Sequence, residues 1–305
     1  MSSIRRLSLP ASLFLVFAAA LPASAEPRAL AGRAKVYEHL APNSLERIST
    51  PKALLAELKH PNVPPTRLWQ LLEHGEKVEC LACIPHVSRL LYSGHAKNRE
   101  IAAWWLRRRI FGVFGPGEVY SQVVSTLTDA SQSEERRAYA ANALGEFLNP
   151  SGIKHVARAI VEDESPLVRR AAVEALQRLN HEGPSRELGS ALSDPDESVR
   201  LAALRAATSI HVFSSPDKLA ELLGDESPAV RKRAAEALGA LKIADAVVGL
   251  VAVVSDEDES PDVTAAAIWA LGQLGDPAGK ASIEARRDDP NPLIRSAAAI
   301  ALRRL

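Results

Sequence analysis

The chain has 305 residues, 37 basic against 37 acidic side chains, and only 5% aromatics. Formal neutrality removes any global pull toward nucleic acid or an anionic membrane. Few aromatics and abundant small side chains suit closely packed helices.

Residues 1–25 read as a secretory signal peptide. Arg5 and Arg6 supply the positive start, an apolar run follows over 11–21, and Ala23-Ser24-Ala25 gives the small-residue cleavage pattern. The run is too short to span a bilayer comfortably, so the expectation is export with a mature chain beginning at Glu26, periplasmic or secreted. Loss of Arg5 and Arg6 leaves 35 basic against 37 acidic side chains, and no later stretch is long enough for a membrane span. Residues 26–62 are interrupted by Pro27, Pro42, Pro51 and Pro61. They read as an extended N-terminal arm with one helix at 51–58. Residues 63–130 form a divergent helical region, with helices at 66–73, 84–92 and 98–109.

From residue 131 onward one phrase returns. A clear copy covers 136–145. Full copies begin at Ser165, Asp196, Ser227, Ser260 and Asn291, and their anchors Val168, Val199, Val230, Val263 and Ile294 are 31, 31, 33 and 31 residues apart. A fixed period of this kind means stacked units. Each copy opens on a residue able to cap a helix, and Pro166, Pro228, Pro261 and Pro292 follow at the first helical position. Val168, Ala172, Ala175 and Leu176 then fall on one helix face, the buried stripe. Partner helices are expected at 153–161, 185–192, 216–223, 244–254 and about 278–286. Strand signals are nearly absent.

The pattern Asp-x-x-x-x-Val-Arg-x-x-Ala-x-x-Ala-Leu resembles the HEAT-like repeat, in the short form found in phycobilisome-lyase-type proteins. The resemblance covers 131–305 well and 66–130 loosely. It implies an all-α fold, a right-handed α-solenoid of antiparallel helix pairs, whose second helices line a concave groove.

Acidic residues precede the phrase arginine by six positions: Asp163 and Arg169, Asp194 and Arg200, Asp225 and Arg231, Asp289 and Arg295. The resemblance implies a structural ladder in which each Asp meets arginines of its own and adjacent repeats; an anion-binding row is the alternative. Exposed rungs would contribute only about 0–1 kcal/mol each, and Thr264, in place of an arginine after Asp258, marks a weak rung. On the concave side the resemblance places Trp104, Glu174, Arg205, Glu236 and Trp269 in one row, and Arg170 and Lys232 in a second. This mixed row suits protein partners better than nucleic acid. The packing alternative is that Trp104 and Trp269 fill gaps between Ala-rich helices. Arg107-Arg-Arg109 beside two tryptophans spreads over several helix faces, so no nucleic-acid partner is expected.

Cys80 and Cys83, the only cysteines, form a CxxC at a helix start. A local disulfide is the simpler expectation in an exported chain; redox activity through a lowered thiol pKa is the sharper one. Ile84 stands where haem attachment needs His, and Cys80, Cys83 and His86 lack the fourth ligand of a structural zinc site. No metal and no cofactor are expected. Some HEAT-repeat hydroxylases, similar in fold, bind iron through His-Glu pairs; here Glu73-His74 and His181-Glu182 are reversed relative to each other and read as solvated turn residues. Ile294, Ala298, Ala301 and Leu302 are expected to leave an apolar C-terminal edge open to self-association. The resulting expectation is an exported protein-binding scaffold without turnover. The alternative is an accessory or catalytic subunit of bilin-lyase-like or Cys-dependent redox type.

Overall fold

The computed structural model describes residues 45, 48–60, 63–109, 117–179, 185–209 and 215–305. Residues 1–25, expected to be a signal peptide, residues 26–44 of the expected arm, and His181-Glu182 lie outside the described residues. From Ile48 to Leu305 the chain forms one compact unit. Among the described residues there is no strand, and no helix is long and apolar enough to cross a membrane.

Helices α1 (Pro51–Leu58) and α2 (Pro65–Gly75) open the array. Seven antiparallel pairs follow: α3 (Ile84–Leu90) with α4 (Ala96–Arg107), α5 (Glu118–Thr128) with α6 (Glu134–Glu146), and α7 (Ile153–Glu162) with α8 (Pro166–Leu179). Then come α9 (Ser185–Leu192) with α10 (Glu197–Ala207), α11 (Pro216–Glu221) with α12 (Pro228–Ala240), α13 (Val247–Ser255) with α14 (Pro261–Leu274), and α15 (Lys280–Ala285) with α16 (Pro292–Ala301). Second helices pack on second helices, α4 through α16, and first helices flank them as a parallel layer. Substantial contacts fall between sequential neighbours, as a solenoid requires.

The stripe read from the sequence is the core. Val168, Ala172, Ala175 and Leu176 are buried, and so are their equivalents Val230, Ala234, Ala237 and Leu238. Three first helices are shorter than the apolar pattern implied, because a 3₁₀ turn takes one end. Leu222–Gly224 closes α11, and Ala244–Ala246 and Pro277–Gly279 open α13 and α15.

The helix expected at 51–58 forms with those bounds; it buries Leu54 and Leu58 and belongs to the unit that begins at Ile48. Three expectations need correction. Only Asp196 and Asn291 of the five anticipated caps bond their own helix through the side chain. The hydroxyls of Ser165 and Ser227 donate instead to Glu134 (2.5 Å) and Glu197 (2.7 Å), the first residues of α6 and α10 in the preceding repeat, charge-assisted bonds that tie one repeat to the next. Glu73-His74 lies within α2 and is not a turn; the His74 ring bonds the Ile48 carbonyl at 3.0 Å. Of the residues expected to form an open apolar C-terminal edge, Ile294, Ala298 and Ala301 are buried against the preceding repeat and Leu302 is half-buried, while Arg295, Ala299 and Arg303 are exposed.

Candidate functional site

At the fourth position of α8, α10 and α12 stands an arginine with two jobs. Arg169 donates through Nη1 to the carbonyls of Asp163 (3.0 Å) and Glu164 (2.9 Å) in its own turn. Through Nε and Nη2 it grips the Asp194 carboxylate of the next repeat (2.7 and 2.9 Å). Arg200 repeats this with the Asp194 carbonyl (2.9 Å) and the Asp225 carboxylate (2.8 Å). Arg231 bonds the Asp225 carbonyl (2.7 Å), but its carboxylate partner is Glu259 (2.6 Å). The anticipated ladder takes a directional form at these rungs: the carboxylates of Asp163, Asp194 and Asp225 are held by an arginine of the preceding repeat, and the arginine of their own repeat reaches Asp163, Asp194 and Asp225 through the backbone carbonyl. Arg137, whose guanidinium grips Asp163 at 2.9 Å, and Glu259 are rungs that the six-residue spacing missed.

These rungs are not surface pairs. Arg200 and Asp225 keep only 7% and 6% of their side-chain exposure. The same aspartates also accept a backbone N–H two residues on, as Ser165 to Asp163 and Ser227 to Asp225, both 2.9 Å. With the arginine donors spent on these carboxylates and turn carbonyls, the ladder reads as structure and leaves few donors for an anion. Arg137 and Arg169 are each held more firmly protonated by the carboxylate they grip, which outweighs the opposing effect of burial.

At Thr264 the arginine is missing. Arg286, at the C-cap of α15, arrives from the other side and donates to the carbonyls of Val254 (2.8 Å) and Asp256 (3.0 Å), while its Nη1 lies 3.3 Å from Asp289. The longer turn, which gives the 33-residue spacing, lets Asp256 take the Asx bond to Asp258 (3.0 Å) and leaves Glu259 for Arg231. At the end of the chain Arg295 bonds the carbonyls of Asp289 (2.7 Å) and Pro290 (2.8 Å) in the usual way.

Glycines set the spacing of the second helices. Cβ atoms at Gly145, Gly239 and Gly272 would stand 2.7, 2.7 and 2.9 Å from the Cα atoms of Ala175, Ala270 and Ala301 one repeat on. Gln177 and Thr208 occupy the equivalent positions of α8 and α10, and beside them the surface opens into a polar trough lined by Glu174, Arg178 and Arg205. A larger groove of about 770 Å³ lies over α12, α14 and α16. Small residues form its floor, including Ala237, Ala265, Ala266 and Gly272; Trp269, Leu293 and Ile300 are its large apolar side chains. Leu293 and Ile300 are 46% and 49% exposed. Charges stand at the rim: Arg205 is 3.6 Å from Glu174, Lys232 3.5 Å from Asp262, and Arg233 2.8 Å from Glu236.

The structure thus brings Arg205, Lys232, Glu236 and Trp269 to one groove and Glu174 to the trough beside it. Trp104 is elsewhere: half-buried, it stacks on Trp69 with ring centroids 4.5 Å apart, which matches the packing alternative for that residue. Arg170 is half-buried and outside the lining of these grooves. Leu293 was missed as a groove residue; its place seven positions before Ile300 on one helix is the signal that locates it.

Cys80 and Cys83 stand at disulfide distance, S–S 2.05 Å, and both are buried. The 3₁₀ turn Leu81–Cys83 packs on α1, with Cys80 Sγ 3.4 Å from the Pro51 carbonyl. Burial lowers the His86 pKa nearby. Arg108 and Arg109 both pair with Glu76 (3.1 and 2.9 Å), the second of them nearly buried. No group of three or more His, Cys, Asp or Glu able to hold a metal gathers among the described residues.

The family model for HEAT repeats matches in overlapping segments, 120–208, 154–223, 185–258 and 215–303. Curated proteins give no match. Among solved structures, YibA of E. coli is similar at 20% identity and TM-score 0.54, covering 83% of this chain and 92% of that one. A chain of the Kap95p–RanGDP structure is similar at 15% identity and TM-score 0.64, over 90% of this chain and 42% of the other. The CpcE–CpcF phycocyanin lyase of Nostoc sp. PCC7120 gives 20% identity and TM-score 0.40, over 81% and 88%. At these identities the likeness is one of fold.

Proposed function

Because the chain belongs to the HEAT-repeat family, we propose that it is an exported scaffold whose groove over α12, α14 and α16 binds protein partners without turnover. The observation that carries this reading is the groove itself. Its large apolar side chains Trp269, Leu293 and Ile300 stand over a floor of small residues, inside a charged rim. Incompletely covered apolar surface ringed by polar groups marks interaction sites. Export is supported by the pattern of residues 1–25.

A photo-crosslinking residue at Ala297, inside the groove, tests the binding role in intact cells. Discrete protein adducts are expected there and not at Val248, which is 81% exposed on the other helix layer. Equal labelling at both positions, or none at 297, would end the reading. Sequencing the N-terminus of the exported fraction tests the compartment: Glu26 is expected, and recovery of the intact Met1 chain from the cytoplasm alone overturns export. The double variant Cys80→Ser, Cys83→Ser is expected to retain the adducts at 297. Their loss in a folded variant would favour the Cys-dependent alternative.

A further inference from the structure

The groove's small floor, its large apolar side chains and its charges together define what fits it. The floor is smooth because Gly239–Ala270 and Gly272–Ala301 draw α12, α14 and α16 together, leaving alanines and no large side chain between them. Gly239 also makes room for the Trp269 ring, whose nearest carbon is 2.9 Å from where its Cβ would be. The Trp269 indole N–H makes no hydrogen bond among the described residues. Leu293, Ala297 and Ile300 share one face of α16 toward the groove, and Arg304 ends that face. A floor of small residues cannot fill such a space itself, so its complement carries large apolar side chains.

The rim adds a sign. Arg205, Lys232, Arg233 and Arg304 line the groove against Glu236 and Asp262. Only Arg233 is closely paired, at 2.8 Å. Lys232 and Arg205 keep long contacts of 3.5 and 3.6 Å and are 43% and 46% exposed, and Arg304 has no carboxylate partner among the described residues. Three cations are therefore available to an incoming carboxylate. They run from α10 to α16, three interhelix steps of about 9 Å each, or roughly 27 Å. That is the length of about 18 residues of α-helix.

We propose that this groove takes an amphipathic helix of a partner protein, with Leu- or Phe-sized side chains on the face against Trp269, Ala297 and Ile300 and carboxylates along its flank toward Arg205, Lys232 and Arg304. The proposal rests on the groove reading above and adds the chemistry of the occupant.

Two synthetic 18-residue helical peptides test it against the full-length chain by titration calorimetry. They share an apolar face of Leu and Phe and differ only in Glu or Lys on the flank. The Glu peptide is expected to bind at least about tenfold tighter, with the gap closing at 0.5 M salt as screening removes the rim's contribution. Ile300→Asp, at a half-exposed position that leaves the core intact, is expected to weaken the Glu peptide about tenfold. Arg304→Glu should shrink the difference between the peptides while thermal unfolding stays unchanged. Equal or tighter binding of the Lys peptide overturns the proposal, as does a Glu peptide indifferent to both variants. If neither peptide binds while Ala297 still crosslinks to a protein, this occupant is wrong and the groove reading stands. If Ala297 captures nothing, the groove reading itself fails.

Discussion

Arg286 donates to the carbonyl oxygen of Asp256 across 3.0 Å and so fills a place that residue 264 leaves open. In the other repeats that carbonyl is served by the arginine six positions on, as Arg200 serves Asp194. Thr264 is buried and bonds the Ser260 carbonyl instead, at 3.2 Å. The same two acceptors, a turn carbonyl and the next repeat's Asp289, are thus reached from α15 and not from α14. The expected weak rung is a rung held from the opposite direction.

Arg286→Ala strips donors from the Val254 and Asp256 carbonyls and leaves Asp289, whose side chain is 7% exposed, without its cation. The expected loss is about 1–3 kcal/mol, from hydrogen bonds to a charged group. A urea unfolding midpoint that does not move would show that the substitute rung carries no weight.

The ladder's position dependence gives a sharper comparison. Arg200→Ala leaves the Asp225 carboxylate, 6% exposed, without its ion-pair partner, and the expected cost is about 3–5 kcal/mol. Arg295→Ala removes a residue that bonds only carbonyls of its own exposed turn, so a change within about 0.5 kcal/mol is expected. Equal melting shifts in the two variants would contradict a ladder that passes its load from one repeat to the next.

Gly239→Ala places a methyl 2.7 Å from the Ala270 Cα and 2.9 Å from the Trp269 ring. Backbone cannot yield as a side chain does, so α12 and α14 must separate, at about 1–3 kcal/mol. Chemical denaturation measures the cost, and a changed tryptophan emission is expected because Trp269 moves with the gap. Gly224→Ala, with nothing within 4 Å of its Cβ, is the control expected to stay near neutral.

Acid should weaken the stack. The Arg231 guanidinium holds the Glu259 carboxyl below its ordinary value, against the opposing effect of burial. Its contribution is complete above the unfolded-chain value of about 4.3 and is lost as pH falls through the lower folded value. His86 and His155, lowered mainly by burial, act in the same direction from about pH 6.5 downward, because the unfolded chain takes up their protons first. Stability measured from pH 7 to 3 should therefore fall throughout, and Glu259→Gln should flatten its lowest part. A maximum near pH 4 would be incompatible with these shifts.

The fold was legible because a tandem architecture writes its core repeatedly. Val168, Val199, Val230 and Val263 each mark the same buried site, and chance does not repeat a site at that interval. The divergent repeats hid their equivalents. Asn98 stands where these valines do, and its Oδ1 is buried without a hydrogen bond, so the stripe fades there although α4 packs normally. The groove was half legible. Register alone places Glu236 and Trp269 on the same face of successive second helices, but the width of the space depends on Gly239 and Gly272 meeting alanines one repeat away. The ladder's partners were misread for a similar reason. Spacing within a repeat finds Asp225 near Arg231 in sequence, whereas the ion pair joins Arg231 to Glu259 across repeats.

The forward reach of the arginines has a consequence for how such a chain can change length. Arg169 and Asp194 are 25 residues apart, and so are Arg200 and Asp225. Excising residues 194–224 in frame would deliver Asp225 to Arg169 at that same interval, and duplicating them would insert a tile whose two edges already match. Where the clasp looks one unit ahead in this way the two tiles are interchangeable, so the array can be lengthened or trimmed at that point by a whole tile without redesigning either ion pair.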